Sequence, residues 1–287
     1  MDSMQGMVLP DVEQWSDRVW VVRGQNPGAF TGPGTNTYLI GTGPRPLLLD
    51  TGDGRDAYLP VLESALSERD STGPGELALT HVHPDHIGGT PGILERFGER
   101  PVYKLPWKER DEQFDLSLTA IGDGDQLRAP DATLRAIHTP GHAQDHLCYY
   151  LEEERALFTG DVIVGAGTVV IPLEGGSMRL YLRTLEQLLE LEIDRIYPGH
   201  GPLIERPHEK IQEYLDHRLA REQQIAEAIR SGASTIEGMV ERIYVDTPRY
   251  LFAAAGQSVR SHLLKLEDER RVSKAIDATG EEHWSLA

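Results

Sequence analysis

The sequence predicts an α/β fold with sheet packed between layers of helix, and three observations carry that prediction. Short apolar runs ending in Gly- or Asp-bearing turns recur up to about residue 205. Stretches with apolar residues at helical spacing lie between them. After Pro207 the strand texture stops and the chain reads as helices followed by a hairpin. Strands mixed with helices over such a length suit sheet enclosed by helix. The break divides the 287 residues into a domain 1–206 and a C-terminal domain 207–287.

The strand-like runs are "RVWVVRG", "NTYLIGTG", "PLLLDTG", "ELALTH", "RAIHTPGH", "LCYYLE", "RALFTGD" and "RIYPGH". Helical patterns cover 56–69, 86–98 and 178–192, the last with Leu180, Leu182, Leu185, Leu188, Leu189 and Ile193 near helical spacing. Residues 208–231 predict a long helix with Ile211, Leu215, Leu219 and Ile225 along one side. Ser234 or Thr235, followed by Glu237 or Glu241, offers the next helix start and leaves the capping-box register open. Pro248 opens a further helical region, in which Val259, Leu263, Leu264 and Leu266 form the apolar side. The tail "RRVSKAIDATGEEHWSLA" reads as two strands about an Ala-Thr-Gly turn. Helices followed by a hairpin suggest a winged-helix-like unit. It shows no concentrated basic face, so a packing or substrate-lip role is expected rather than DNA binding.

Composition narrows the function classes. Hydrophobic residues at 39% with 26% charged are ordinary for a globular chain, so a sizeable core is available. No run approaches the ~18 apolar residues of a membrane helix, so no membrane partner is expected. The start, "MDSMQGMVLPDVEQW", has no basic-then-apolar leader, which points to the cytoplasm, or to the mitochondrial matrix in a eukaryote. A lone cysteine, Cys148, excludes a disulfide partner within the chain and a thiolate zinc finger, and reads as a core residue. A net charge of −18 repels polyanions unless a basic patch is set against the field. Two basic clusters exist, Lys104/Lys108/Arg110 and His217/Arg218/Arg221, but each is interleaved with acids and reads as a solvated face.

The stretch "ALTHVHPDHIGG" crowds His81, His83, Asp85 and His86 into six positions. Residues two apart in an extended segment point the same way, so His81 and His83 can reach one ion. Pro84 then suits the first turn of a helix that brings Asp85 and His86 to a second point, and Gly88 and Gly89 allow close backbone approach. Further donors stand at other strand ends: His142 in "HTPGH", Asp161 in "FTGD" and His200 in "YPGHG". Five imidazoles and two carboxylates without a thiolate suit a pair of borderline ions: zinc, with iron and manganese also admitted.

In order and context, "LLLDTG", "THVHPDHIGG", "HTPGH", "FTGD" and "YPGHGP" resemble the metallo-beta-lactamase superfamily. The resemblance implies an αββα sandwich, two mixed sheets between helix layers. It implies one zinc on His81, His83 and His142, a second on Asp85, His86 and His200, and Asp161 bridging both. Asp50 in "LLLDTG" matches an aspartate that orients a ligand histidine, and His146 in "GHAQDH" stands close enough to His142 for a supporting role. The other five histidines, His138, His208, His217, His262 and His283, read as surface or satisfied core residues. The reaction this favours is hydrolysis by hydroxide held between two metals. Asp85 and His200 are the catalytic candidates, Asp85 moving the proton and His200 steadying negative charge.

Di-iron flavoproteins of this fold carry glutamate where His83 stands, and lactamases of the family lack the aspartate at position 161. The segment "RGQNPGAFTGPGTNTYLIGTG", with the C-terminal extension, is most similar to the beta-lactamase-like protein 2 branch. That branch includes an endoribonuclease for single-stranded RNA and fungal thioesterase-like enzymes. Residue 82 is valine here, where its animal and fungal members carry tryptophan. The leading expectation is therefore a zinc-dependent phosphodiesterase acting on single-stranded RNA. The alternative is a thioester hydrolase of the acyl-CoA, acyl carrier protein or hydroxyacylglutathione type. A non-catalytic metal-containing binding protein is the contrasting class, disfavoured because all seven donors are present, and a homodimer is admitted. Thr35, Asn36 and Thr37 are expected to make turn hydrogen bonds, and Tyr244, Tyr250 and Phe252 to pack in the core.

Overall fold

The computed structural model describes residue 4 and residues 6–287. By contact density the chain forms two compact units. The first comprises the chain up to Thr139, Gln144–Val169 and Leu191–His208; the second comprises Pro140–Ala143, Val170–Glu190 and Glu209–Ala287.

The first unit is built on two sheets. Strands β1 (Val12–Gln14), β2 (Val19–Arg23), β3 (Asn36–Ile40) and β4 (Leu47–Leu49) pair antiparallel in that order. After helix α1 (Tyr58–Glu68) the sheet continues in parallel through β5 (Leu77–Ala78), β6 (Val102–Lys104) and β7 (Thr119–Ala120). Between β5 and β6 lie α2 (Pro84–Ile87) and α3 (Thr90–Phe97), and between β6 and β7 lies α4 (Lys108–Asp111). The second sheet runs β8 (Gln126–Ala129), β9 (Ala132–His138), β10 (Leu147–Leu151) and β11 (Ala156–Gly160) antiparallel, then β12 (Arg195–Pro198) parallel to β11.

Alternation along the strands explains the stacking. In β2, Val19 and Val21 join the core shared with Leu134, Tyr149 and Phe158 of the second sheet. Val22, one residue out of phase, joins Leu39 and Leu48 beneath Tyr58, Leu62 and Leu66 of α1. Period-two patterning therefore feeds two cores from one sheet, one against the other sheet and one under helix. Cys148 is buried within β10, as expected.

The second unit contains α5 (Met178–Leu189), α6 (Pro207–Arg230), α7 (Ile236–Ile243), a 3-10 turn (Arg249–Leu251), α8 (Phe252–Asp268) and the antiparallel hairpin β13 (Val272–Ile276) with β14 (Glu282–Leu286). Helix α6 begins with Pro207, which still groups with the first unit. Ile225, Met239, Val240, Val259, Leu263, Leu266 and Trp284 make its core. Thr235 is the α7 cap, accepting from Gly238 N at 3.2 Å. Glycine at that third position leaves no capping box, so Glu237 and Glu241 play no part in it.

Several expectations change. The helix read over 86–98 is broken into α2 and α3 at Gly88 and Gly89, where the backbone meets the loop after β4. A Cβ on Gly89 would stand 2.0 Å from the Thr51 carbonyl oxygen, so only glycine fits. Leu219 and Leu264 are exposed, because the buried stripes of α6 and α8 are narrower than their apolar content. Tyr250 is exposed rather than core. Neither basic cluster is a solvated face throughout. Lys104 Nζ sits fully buried between Asp111 and Asp145, at 2.6 and 2.7 Å, and Arg218 is only 2% exposed.

The end of β3 ties the two sheets together. Asn36 Nδ2 donates to the carbonyls of Pro198 and Gly201 at 2.8 and 2.9 Å, and its own N–H donates to Gly199 O at 2.7 Å. Its side-chain oxygen accepts from the buried Arg23 guanidinium. Asn36→Ala would leave the Gly201 carbonyl and an arginine nitrogen unsatisfied, while Pro198 O keeps the Tyr38 hydroxyl, so a loss of about 2–4 kcal/mol of stability is expected in denaturant titration. An unchanged midpoint would refute this role.

Candidate metal centre

Strand direction gathers the polar residues. In the first sheet β4 and β5 run parallel, so the loops after them, carrying Asp50 and His81 to His86, emerge at one edge. In the second sheet β9, β11 and β12 share one direction, and they are followed by His142, Asp161 and His200. Loops at the carboxyl ends of strands are where such folds present chemistry.

Two sets of donors result. His81, His83, His142 and Asp161 place ligand atoms within 4.8 Å of one another, and so do Asp85, His86, Asp161 and His200. Asp161 belongs to both. All seven residues nominated from the sequence are thus found in two adjoining groups that share one carboxylate.

Hydrogen bonds at the far ring nitrogens fix which atoms face inward. Thr80 Oγ1 donates to Asp50 Oδ2 at 2.9 Å and so accepts from His81 Nδ1, also at 2.9 Å. His81 then turns the lone pair of Nε2 toward His83 Nδ1, 2.9 Å away. Two ring nitrogens converging in this way suit a shared cation. His86 Nδ1 donates to Asp50 Oδ2 at 2.7 Å, which aims Nε2 at Asp85 and Asp161, 3.4 and 3.3 Å distant. His142 Nδ1 donates to Val170 O at 2.9 Å. His200 Nε2 lies 3.3 Å from Asp85 and 3.1 Å from Asp161. The donor set, its inward lone pairs and its half-buried carboxylates fit a pair of borderline cations.

The supporting residues are equally specific. Asp50 is buried in left-handed backbone, φ +58°, a conformation uncommon for a residue with a side chain. That turn lets its carboxylate accept from Thr80 N at 2.8 Å while it holds His86. His146 is fully buried, and its Nε2 accepts the Asp161 N–H at 3.1 Å while Nδ1 donates to Thr139. It therefore holds the backbone of the shared carboxylate. Thr35 Oγ1 reaches Asp85 at 3.3 Å, whereas Asn36 and Thr37 make only scaffold bonds. Thr80 is the residue sequence reasoning missed; its one signal was adjacency to His81.

The carboxylates and imidazoles that face one another shift each other's protonation. Burial pulls the His86 pKa down, but Asp85, Asp161 and Asp50 outweigh it and hold it well above the ordinary histidine value. His200 is likewise opposed by burial, yet Asp161 and Asp85 raise it to about 9. Burial would raise Asp85 and Asp161, but the neighbouring imidazoles hold both well below the usual carboxylate range.

Residues 30–200 match the metallo-beta-lactamase superfamily. The chain belongs to that superfamily. Residues 235–284 match the beta-lactamase associated winged helix domain. Among similar proteins, the Beta-lactamase-like protein 2 homolog of Caenorhabditis elegans is 38% identical over 260 residues, 89% of this chain and 86% of its own. The Atrochrysone carboxyl ACP thioesterase of Aspergillus chevalieri is 35% identical across 97% of this chain and 90% of its own. A beta-lactamase domain protein from Burkholderia ambifaria superposes with a TM-score of 0.84 over 98% of this chain and 96% of its own, at 17% identity, a likeness of fold. This superfamily member has the αββα sandwich with mixed sheets and a winged-helix-like C-terminal extension. With its two donor clusters it is a metal-dependent hydrolase. No helix among the described residues is long and apolar enough to cross a membrane.

Two outcomes follow for the superfamily site. Since His200 is raised from 6.5 to about 9 in the folded chain, its contribution to stability is complete below pH 6.5 and disappears as pH climbs through 9. The metal-free protein should therefore melt at progressively lower temperature across that window, while the metal-loaded protein stays flat. Parallel curves would contradict the assignment. Asp50→Ala frees the His86 ring and should weaken metal retention roughly 10–100-fold in chelator competition.

Proposed function

We propose that this superfamily member is a dinuclear zinc hydrolase whose substrate is an acyl thioester. The order of the two sequence-based readings is thereby reversed, with RNA placed second. The similarity that spans 97% of the chain, to a protein named for thioester cleavage on a carrier, carries the reading. Charge supports it independently: a chain of −18 works against a polyanionic substrate.

His81, His83 and His142 would hold one ion and Asp85, His86 and His200 the other, with Asp161 shared. A bound pair supplies water activated near neutral pH and withdraws electron density from the substrate oxygen. Every remaining task falls to the chain. Asp50 and Thr80 keep His81 and His86 in the orientation that faces the donors inward. Asp85 is only partly buried, unlike the imidazoles around it, and its carboxylate is kept ionised by His86 and His200. It is the group placed to accept a proton from incoming water and carry it outward. His200, whose Nε2 lies beside Asp85 and Asp161, would steady developing negative charge through the ion it holds. A departing thiol has a pKa near 8.5, so it leaves as thiolate with little acid assistance. An alkoxide leaving from a phosphodiester demands more.

The deciding experiment offers metal-loaded protein an acyl-coenzyme A and, separately, a single-stranded RNA, each with and without chelator. Thioester turnover that the chelator abolishes, and that His200→Ala lowers by about a hundredfold or more, is the expected result. Chelator-sensitive RNA cleavage without thioester turnover would restore the phosphodiesterase reading.

A further inference from the structure

We propose that the C-terminal unit carries a buried anion site, formed by His217, Arg218 and Arg221 of α6 with His262 of α8, that takes a phosphate group. The sequence reads these residues as surface cations and a satisfied core histidine. The structure buries Arg218 and leaves the buried His262 ring without a hydrogen-bond partner.

His262 is fully buried, and neither Nδ1 nor Nε2 has a hydrogen-bond partner. A neutral imidazole carries one donor and one acceptor, and burying both unmet is costly. Arg221 presents the same anomaly, since its Nε and Nη1 are buried without hydrogen bonds while its guanidinium lies 4.0 Å over the Tyr244 ring. His217 is a third residue of this kind, with Nδ1 buried and unbonded. Positions 217, 218 and 221 fall on one face of α6, because residues three and four apart are neighbours on a helix.

The charged groups that act most strongly on His262 are cations. After burial itself, Arg218, Arg221, Lys265 and His217 are what hold its imidazole well below the ordinary range. Of these, Lys265 has carboxylate partners of its own. Glu222 is shared between Lys265 and Arg271, the latter at 3.0 Å, and Glu213 pairs with Lys210 at 2.9 Å. A chain this acidic has nonetheless gathered cations against one buried histidine. An anion supplies acceptors to the unmet N–H groups of Arg221 and of the imidazoles. Phosphate suits the set because its oxygens can accept simultaneously from a planar guanidinium and from imidazoles.

His217, Arg221 and Tyr244 are partly exposed, while Arg218 and His262 are buried. The floor connects to a segment already described. The Tyr181 ring packs 5.2 Å from the Arg218 guanidinium, and the Tyr181 main chain presses so close to Gly141 that a Cβ there would stand 2.4 Å away. His142 is the next residue. None of the four anion-site residues belongs to the metal donor set, so the site stands whichever substrate is hydrolysed.

The phosphate can belong to a coenzyme A or pantetheine arm, or be free inorganic phosphate. Isothermal titration of the full-length, metal-loaded chain separates these, with inorganic phosphate and coenzyme A as probes at fixed ionic strength. One phosphate per chain is expected, weakened roughly tenfold or more by Arg221→Gln and less by Arg221→Lys. Coenzyme A that binds more tightly than phosphate and competes with it identifies the tethered source; weaker binding identifies the free ion. Nitrogen-15 spectra of the wild-type imidazoles give a readout that needs no variant: the His262 ring resonances should shift on phosphate addition. Binding that survives Arg221→Gln and vanishes with chelator would place the phosphate on the metals and overturn the proposal. Unmoved His262 resonances at saturating phosphate would do the same.

Discussion

The structure depends on an electrostatic imbalance held in place by strand ends. Asp50, Asp85 and Asp161 converge where five imidazoles also point inward, in a region largely closed to solvent. Such a crowd is tolerable only when positive charge is shared among the carboxylates, as protons on imidazole or as cations between them. Much of the surrounding detail serves to keep the crowd together. The glycine break between α2 and α3 lets the loop after β4 lie against the helix that carries Asp85 and His86. The laced end of β3 fixes the turn that presents His200. The scaffold supplies rigidity, and the site consumes it.

Much of this was legible in the sequence, for a physical reason. A residue pattern reveals a metal site when the ligands cluster locally, and four of the seven lie within six positions. The remaining three each follow an apolar strand and a small turn, so their location on the scaffold could be read even though their convergence could not. The principal strands were equally visible through alternation and turn residues. The short strands β1, β6, β7 and β8 were not, because pairing with a neighbour rather than their own composition makes them strands.

Elsewhere the sequence misled by treating charge as a guarantee of exposure. Lys104 and Arg218 are interleaved with acids along the chain, which is the pattern of a solvated face, yet both are buried. Their partners come from other elements: Asp145 lies far along the chain from Lys104, and Tyr181 far from Arg218. Leu219 and Leu264 fail in the opposite sense, being apolar residues at the margin of a stripe that the packing does not reach. Thr80 illustrates a third limit. A hydroxyl that sets the tautomer of its neighbour leaves no trace in composition.

The trio of Lys104, Asp111 and Asp145 has an implication for how this scaffold can change. One ammonium is clasped by two carboxylates with almost no water at hand, so the three side chains behave as a single object. Losing the lysine leaves two anions facing each other, and losing an aspartate alters the balance the other two rely on. An apolar replacement of the whole set can be neutral, but the single-step routes to it pass through strongly handicapped intermediates. Drift at these positions is therefore gated by epistasis, and the loop joining β6 to β7 is tethered to the His142–His146 turn for as long as the trio lasts.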